Sequence, residues 1–476
     1  MTLKKSLINI TKERRLYHNL KRFLTGNLQS IGLLFGIRQV GKTVLLKQLA
    51  NDLPNSIYIN LKEKEHTFDD ITELLGQGAD FYFIDELTYM SGYDLLMSSI
   101  FMSIERYNKT CKIVVTGSSY SSLKQIATDE LGGGRSAKFE LFPIDFEEYL
   151  YFTNKICAYG DYKYVPATSD IYEYLRLTGM PEGLKIVLDR DYFNSWYDET
   201  LAVKENKFNH DRIMYLEEHQ VTHMVDLLAY TLNRSNTYKA LRTTPIGVRE
   251  FGLTAFDFNE SLVQLARDAV FSLTPKDIGT MLAWGLSNGF LFLDLHCFNG
   301  ERQDTYKAYY DVASVSDIGQ LKRVLGEYTI NPISPLIYTR LKIDLESLAE
   351  QAASTELVGD LYELAIKAED VRAQGFKNWH RSYKIRQYGT EIDLYTWGND
   401  SENKPIGLLL EATLRHKEKE DASIHSIKGV GNCVRVLTDI EGSYSKEDNF
   451  YRIGYPHALY MLSNGSIFSL HTDCDH

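Results

Sequence analysis

The chain has 476 residues, 44% of them hydrophobic and 24% charged, with a formal net charge of −12. That balance is globular, the length suits about three domains of ~150 residues, and the acidity excludes nucleic-acid affinity carried by overall charge. Five scattered cysteines without a Cys-x-x-Cys pair, no signal-peptide core and no apolar run of about 18 residues argue against a zinc module, a disulfide framework and a membrane span, and suit a cytoplasmic protein.

The first 25 residues carry Lys4, Lys5, Lys12, Arg14, Arg15, Lys21 and Arg22 against Glu13. Such a run is either a solvated helix face or a contact for phosphate or a partner. An apolar strand pattern follows, Ile31 to Phe35. Then come Gly36, Ile37, Arg38, Gln39, Val40, Gly41, Lys42 and Thr43, and Val44 opens a helical pattern. This is G-x-x-x-x-G-K-[ST] between a strand and a helix, the context a phosphate-binding loop requires. The two glycines let backbone N–H groups face phosphate oxygens, and the helix adds the positive end of its dipole. Lys42 is expected on the β- and γ-phosphates and Thr43 on Mg²⁺.

Ser56–Leu61 reads as a second strand and Thr67–Leu75 as a polar helix. Phe81–Ile84 is a buried parallel strand with Asp85 and Glu86 at its tip, the edge where ligands sit in such sheets. Asp85 is expected to hold Mg²⁺ and Glu86 to polarise an attacking water. The next strand, from Lys112, ends in Thr116, Gly117 and Ser118. Thr116 and Ser118 either sense the γ-phosphate or simply cap the strand end. Gly132–Gly134 then presents Arg135, an arginine finger or an ordinary ion-pair residue. Asp145 caps a helix over Phe146–Phe152.

In this order the motifs GIRQVGKT, YFIDEL, VVTGSS, GGGR and LFPIDFEEYL resemble the prokaryotic AAA+/STAND-related ATPases of the AAA_14 type. The resemblance implies an α/β architecture: a five-stranded parallel P-loop sheet with a helical lid, and ATP as the nucleotide. The Gly179-Met180-Pro181 turn is similar to one in that lid. The ATPase core is accordingly placed at 1–155 and the helical lid and connector at 156–235, where Arg176 and Arg212 are either nucleotide sensors or surface residues.

A capped helix with Pro275 at its start, running to about Leu286, then Asn288-Gly289 and the strand from Phe290 to Leu295, resembles a winged-helix module at 236–300. It serves DNA contact or protein packing; its helix has Lys276 but no Arg, which leans to packing. A linker spans 301–350, punctuated by Asn331-Pro332-Ile333-Ser334-Pro335.

The pattern resets at 351–476. Glu356–Ala365 is an amphipathic helix, Gly389–Tyr395 a strand and Leu408–Leu414 another. A hairpin would bring Asp393 and Glu411 close, with Glu363 added from the helix, a carboxylate set able to hold Mg²⁺ for phosphodiester cleavage. YELA, GTEIDLY and LLLEATL resemble the DUF4143-like, PD-(D/E)XK nuclease-like region that accompanies these ATPases. Its Glu-x-Lys is here Glu411-Ala412-Thr413. Arg415 or Lys384 is left to supply the missing cation, and neither is a ready base. The domain is thus an active nuclease or, as the missing lysine favours, a degenerate module binding DNA or a partner. The combined expectation is a nucleotide-gated switch, forming homo-oligomers with nucleotide, in defence or DNA maintenance; the alternatives are an ATP-dependent endonuclease and an ATPase-controlled binding module.

Overall fold

A computed structural model of the chain describes residues 12–26, 30–36, 40–63, 66–90, 92–106, 111–117, 136–161, 163–176, 291–298, 328–332, 356–374, 381–387, 390–412, 424, 427, 432–439, 444–446 and 450–475. It divides into two compact units, 1–143 and 144–476.

The first unit is built on β1 (Ile31–Phe35), β2 (Ser56–Asn60), β3 (Phe81–Asp85), β4 (Lys112–Thr116) and β5 (Ser136–Glu140), in the order β2-β3-β4-β1-β5. Every pairing is parallel. β1 and β4 are neighbours in the interior of the sheet and are buried at every position, which is why Leu33–Phe35 and Ile113–Val115 read as apolar runs. Helices α1 (Arg15–Thr25), α2 (Lys42–Asp52), α3 (Phe68–Leu75) and α4 (Tyr93–Arg106) belong to this unit. Thr67 and Asp70 form a reciprocal capping box on α3. The strand order puts the C-terminal tip of β1 beside that of β4, with β3 next in line. The loop after β1 therefore meets the acids after β3 at one edge.

The second unit begins with α5 (Phe146–Phe152), whose cap residue Asp145 accepts from Glu148 N at 2.8 Å, and α6 (Thr168–Arg176). The helix expected to close the ATPase core is α5, and it groups with this unit. Next come β6 (Leu291–Phe298), β7 (Tyr328–Pro332), α7 (Glu356–Gln374), β8 (Arg381–Gln387), β9 (Thr390–Ile392), β10 (Leu394–Asn399) and β11 (Pro405–Ala412). β12 (Cys433–Asp439), β13 (Ser445–Lys446), β14 (Tyr451–Gly454) and α8 (Tyr455–Asn464) complete it, with a 3₁₀ segment over Ser466–Asp475. One sheet runs β7-β6-β8-β9 and the other β10-β11-β12-β14-β13.

Two placements differ from the sequence reading. β6, read as the last strand of a separate winged-helix module, pairs parallel with β8 and antiparallel with β7. Its apolar run marks it as a strand but does not specify a partner, since any open edge satisfies the same N–H and C=O groups. The helix and Asn-Gly turn expected before it lie outside the described residues. Within the segment read as linker, Tyr328–Pro332 is strand β7. Pro332 fits there because β7 is an edge strand and Pro332 its last residue.

The strand expected over Gly389–Tyr395 is interrupted at one residue. β9 pairs with β8, β10 pairs with β11, and Asp393 is the bend between them. The chain passes from one sheet to the other there.

Candidate functional site

The loop after β1 is shaped by sterics first. Gly36 has φ +150°, and a Cβ on it would stand 2.5 Å from the Leu141 carbonyl oxygen, so only hydrogen fits. Gly41, at φ +106°, turns the chain into α2; that left-handed geometry favours glycine. Ile37, Arg38 and Gln39 lie outside the described residues. Val40 is fully buried and Val44 sits in the first turn of α2.

Lys42 starts α2 and is nearly buried; its Nζ donates to Gly36 O at 2.7 Å across the loop. Thr43 Oγ1 donates to Asp85 Oδ2 at 2.7 Å, joining α2 to the tip of β3. The hydroxyl of Tyr58, from β2, donates to the same oxygen at 2.8 Å. Glu86 N donates to Asp85 Oδ1 at 3.1 Å. Asp85 is 1% exposed and so accepts from three donors on three segments. Burial, then the Asp85 charge and hydrogen bond, push the Tyr58 hydroxyl well above its ordinary 10.0, so it remains a donor at neutral pH.

Glu86 occupies the left-handed region, φ +59° and ψ +39°, uncommon for a residue with a side chain. Among the described residues its buried Oε2 has no hydrogen-bond partner, and neither does Thr116 Oγ1. β3 and β4 pair Ile84 with Val115, so one step on Asp85 and Thr116 stand side by side. Two orphaned oxygens at one sheet edge, each costing about 1–3 kcal/mol when left unmet, mark a place shaped to receive a polar group. The sequence assigned Lys42, Thr43, Asp85, Glu86 and Thr116 to this edge, and the fold brings them together. Ser118 and Arg135 lie outside the described residues, as does Arg212.

Two contributors were not read from sequence. One is Tyr58. The other is Arg14, counted only as one of a basic run. It is buried, with Nη1 on Val40 O at 2.9 Å and Nη2 on Phe142 O at 2.8 Å, tying the phosphate loop to the segment after β5. Its neighbours Lys21 and Arg22 are not buried.

A second set of charges lies in the second unit. Asp393 Oδ2 accepts from Ala412 N at 2.8 Å, which sets it beside Glu411 on β11. Burial, followed by the charges of Glu363 and Glu411, raises the Asp393 carboxyl well above its ordinary 3.8. Lys367 of α7 donates to Glu363 and, at 2.7 Å, to Asp294 Oδ2 of β6. Among the described residues no group of three or more His, Cys, Asp or Glu is set to hold a metal ion. Lys384 is buried in β8; Thr413 and Arg415 lie outside the described residues. Among the described residues no helix is long and apolar enough to cross a membrane.

Residues 29–150 match the AAA_14 family model, an AAA domain. An uncharacterized protein of Methanocaldococcus jannaschii is 29% identical over 166 residues, covering 32% of this chain and 36% of that protein. The match thus spans about a third of that curated relative's length. Among solved structures, AMPPCP-bound DnaA from Aquifex aeolicus aligns with TM-score 0.28 and 13% identity, covering 75% of this chain and 95% of that one. The ORC2 protein of Aeropyrum pernix, in ADPNP and ADP complexes, aligns with TM-score 0.32 and 12% identity, covering 59% and 88%. The loop after β1 and all five strands of the parallel sheet fall within the stretch that the AAA domain model matches.

Proposed function

We propose that the first unit binds ATP with Mg²⁺ and hydrolyses it, and that nucleotide state sets how the C-terminal module is presented. The observation that carries this reading is the Thr43–Asp85 hydrogen bond directly after a loop in which Gly36 has room only for hydrogen. The residues fit the group: glycine backbone for close phosphate approach, an ammonium, and a hydroxyl–carboxylate pair suited to a hard cation.

Lys42 would hold the β- and γ-phosphates, while Thr43 and Asp85 would hold Mg²⁺, whose charge offsets that of the phosphates. Tyr58 and Glu86 N fix the Asp85 carboxylate in one orientation. The orphaned Glu86 carboxylate oxygen is suited to orient a water and accept its proton, and the Thr116 hydroxyl to contact phosphate or that water. Arg135 and Ser118 are proposed to act at the same edge, Arg135 as a finger between copies in a nucleotide-dependent homo-oligomer. DNA and a partner protein are the proposed targets of the C-terminal module, in defence or DNA maintenance.

Calorimetry with Mg·ATP tests the reading. The intact chain should give heat that Lys42→Ala abolishes, whereas Glu86→Gln should keep binding and lower turnover by about 10²–10⁴-fold. Equal heat from Lys42→Ala would sink it. The alternative is an ATP-dependent endonuclease that would use Glu363, Asp393 and Glu411. Plasmid cleavage with Mg²⁺ or Mn²⁺, lost in Glu411→Ala, would establish it.

A further inference from the structure

Lys367 is 2% exposed, yet it carries a charge among acids drawn from separate parts of the fold. Glu363 lies one turn before it on α7, on the same helix face. Asp294 comes from the middle of β6 and is 1% exposed. Asp393 is the bend between the sheets, and Glu411 lies on β11 beside it. The lysine ammonium donates to Asp294 and Glu363 and lies within electrostatic reach of Asp393. An acidic cluster of this kind is stable only when a cation or protons offset it. The cation present is the chain's own.

We propose that the Lys367 ammonium occupies the position in which a divalent metal would otherwise neutralise this cluster, making the C-terminal unit a metal-independent module. The geometry accounts for two observations together. The acids converge although β11 carries no lysine after Glu411, and none of them forms a metal-binding group among the described residues. An ammonium is a compact charge with three donors, so it can satisfy carboxylates from α7 and β6 at once. A metal ion in the same place would stand against that fixed positive charge. The cluster would then fasten a helix to two sheets instead of activating water. The inference rests on this cluster and is independent of ATP binding by the first unit.

Mn²⁺ binding to the nucleotide-free full chain, counted by electron paramagnetic resonance, tests it. Any Mn²⁺ held weakly at Thr43 and Asp85 is common to all variants. Wild type and Glu411→Gln should bind the same number of ions, and Lys367→Met should gain one, lost again in Lys367→Met/Glu411→Gln. A wild-type ion that disappears in Glu411→Gln overturns the proposal, as does a folded Lys367→Met chain that gains none. If Lys367→Met does not fold, the comparison of wild type with Glu411→Gln decides alone.

Discussion

Tyr58 and Thr43 donate to the same oxygen of Asp85, at 2.8 and 2.7 Å. Groups that orient a metal-binding carboxylate typically change metal affinity by about 10–100-fold when removed. Tyr58→Phe should therefore raise the Mg²⁺ concentration needed for tight ATP binding by at least several-fold. Nucleotide affinity in EDTA should stay as in wild type. Fluorescent-nucleotide titrations at graded Mg²⁺ read both, and an unchanged Mg²⁺ midpoint counts against a role for Tyr58.

Arg14 holds two carbonyls 102 residues apart in sequence, those of Val40 and Phe142. Each hydrogen bond from a charged donor contributes about 1.5–3 kcal/mol. Arg14→Ala should lower the thermal midpoint of the first unit and weaken ATP binding by loosening the loop, while a Lys at this position cannot span both acceptors. Calorimetric scanning together with ATP titration checks this. Loss of stability with ATP affinity intact would make Arg14 purely structural.

Gly36 and Gly78 both have positive φ, but a Cβ at Gly78 meets nothing within 4 Å, whereas one at Gly36 meets backbone at 2.5 Å. Gly78→Ala should cost only the left-handed backbone term, roughly 1–2 kcal/mol. Gly36→Ala adds an overpacking term of about 1–3 kcal/mol. Urea unfolding should rank them in that order, and only Gly36→Ala should also abolish ATP binding.

Asp393 keeps its proton to higher pH when folded than when unfolded. Its stabilising contribution is thus fully present below its ordinary 3.8 and is lost as pH rises through the raised folded value. Asp393→Asn mimics the neutral form and can still accept from Ala412 N. Its advantage over wild type in urea midpoint should grow from pH 5 to pH 8. Parallel curves for the two proteins would show that Asp393 is already ionised in the fold.

The nucleotide edge was legible because its signals are local. Loop glycines, Lys42, Thr43 and the Asp85-Glu86 tip follow one another in a strand–loop–helix and strand–turn grammar. Tyr58 was not legible, because its contact depends on β2 lying next to β3, a fact of strand order. Arg14 was hidden in a basic run, where sequence cannot say which charge is buried. The hairpin of β10 and β11 and the meeting of Asp393 with Glu411 were legible from turn spacing. Lys367 was not, since a lysine four residues after a glutamate usually marks a solvated helix face, and only Asp294 from a distant strand makes it interior. The partner of β6 was equally hidden, for strand character carries no address.

Glu86 sits in a backbone shape that glycine or asparagine would adopt with less strain, a handicap of roughly 1 kcal/mol. A chain optimised solely for rigidity would have replaced it. A carboxylate nonetheless stands on that strained corner, one residue past the end of β3. The fold is thus slightly weaker at Glu86, whose Oε2 is buried without a hydrogen-bond partner among the described residues.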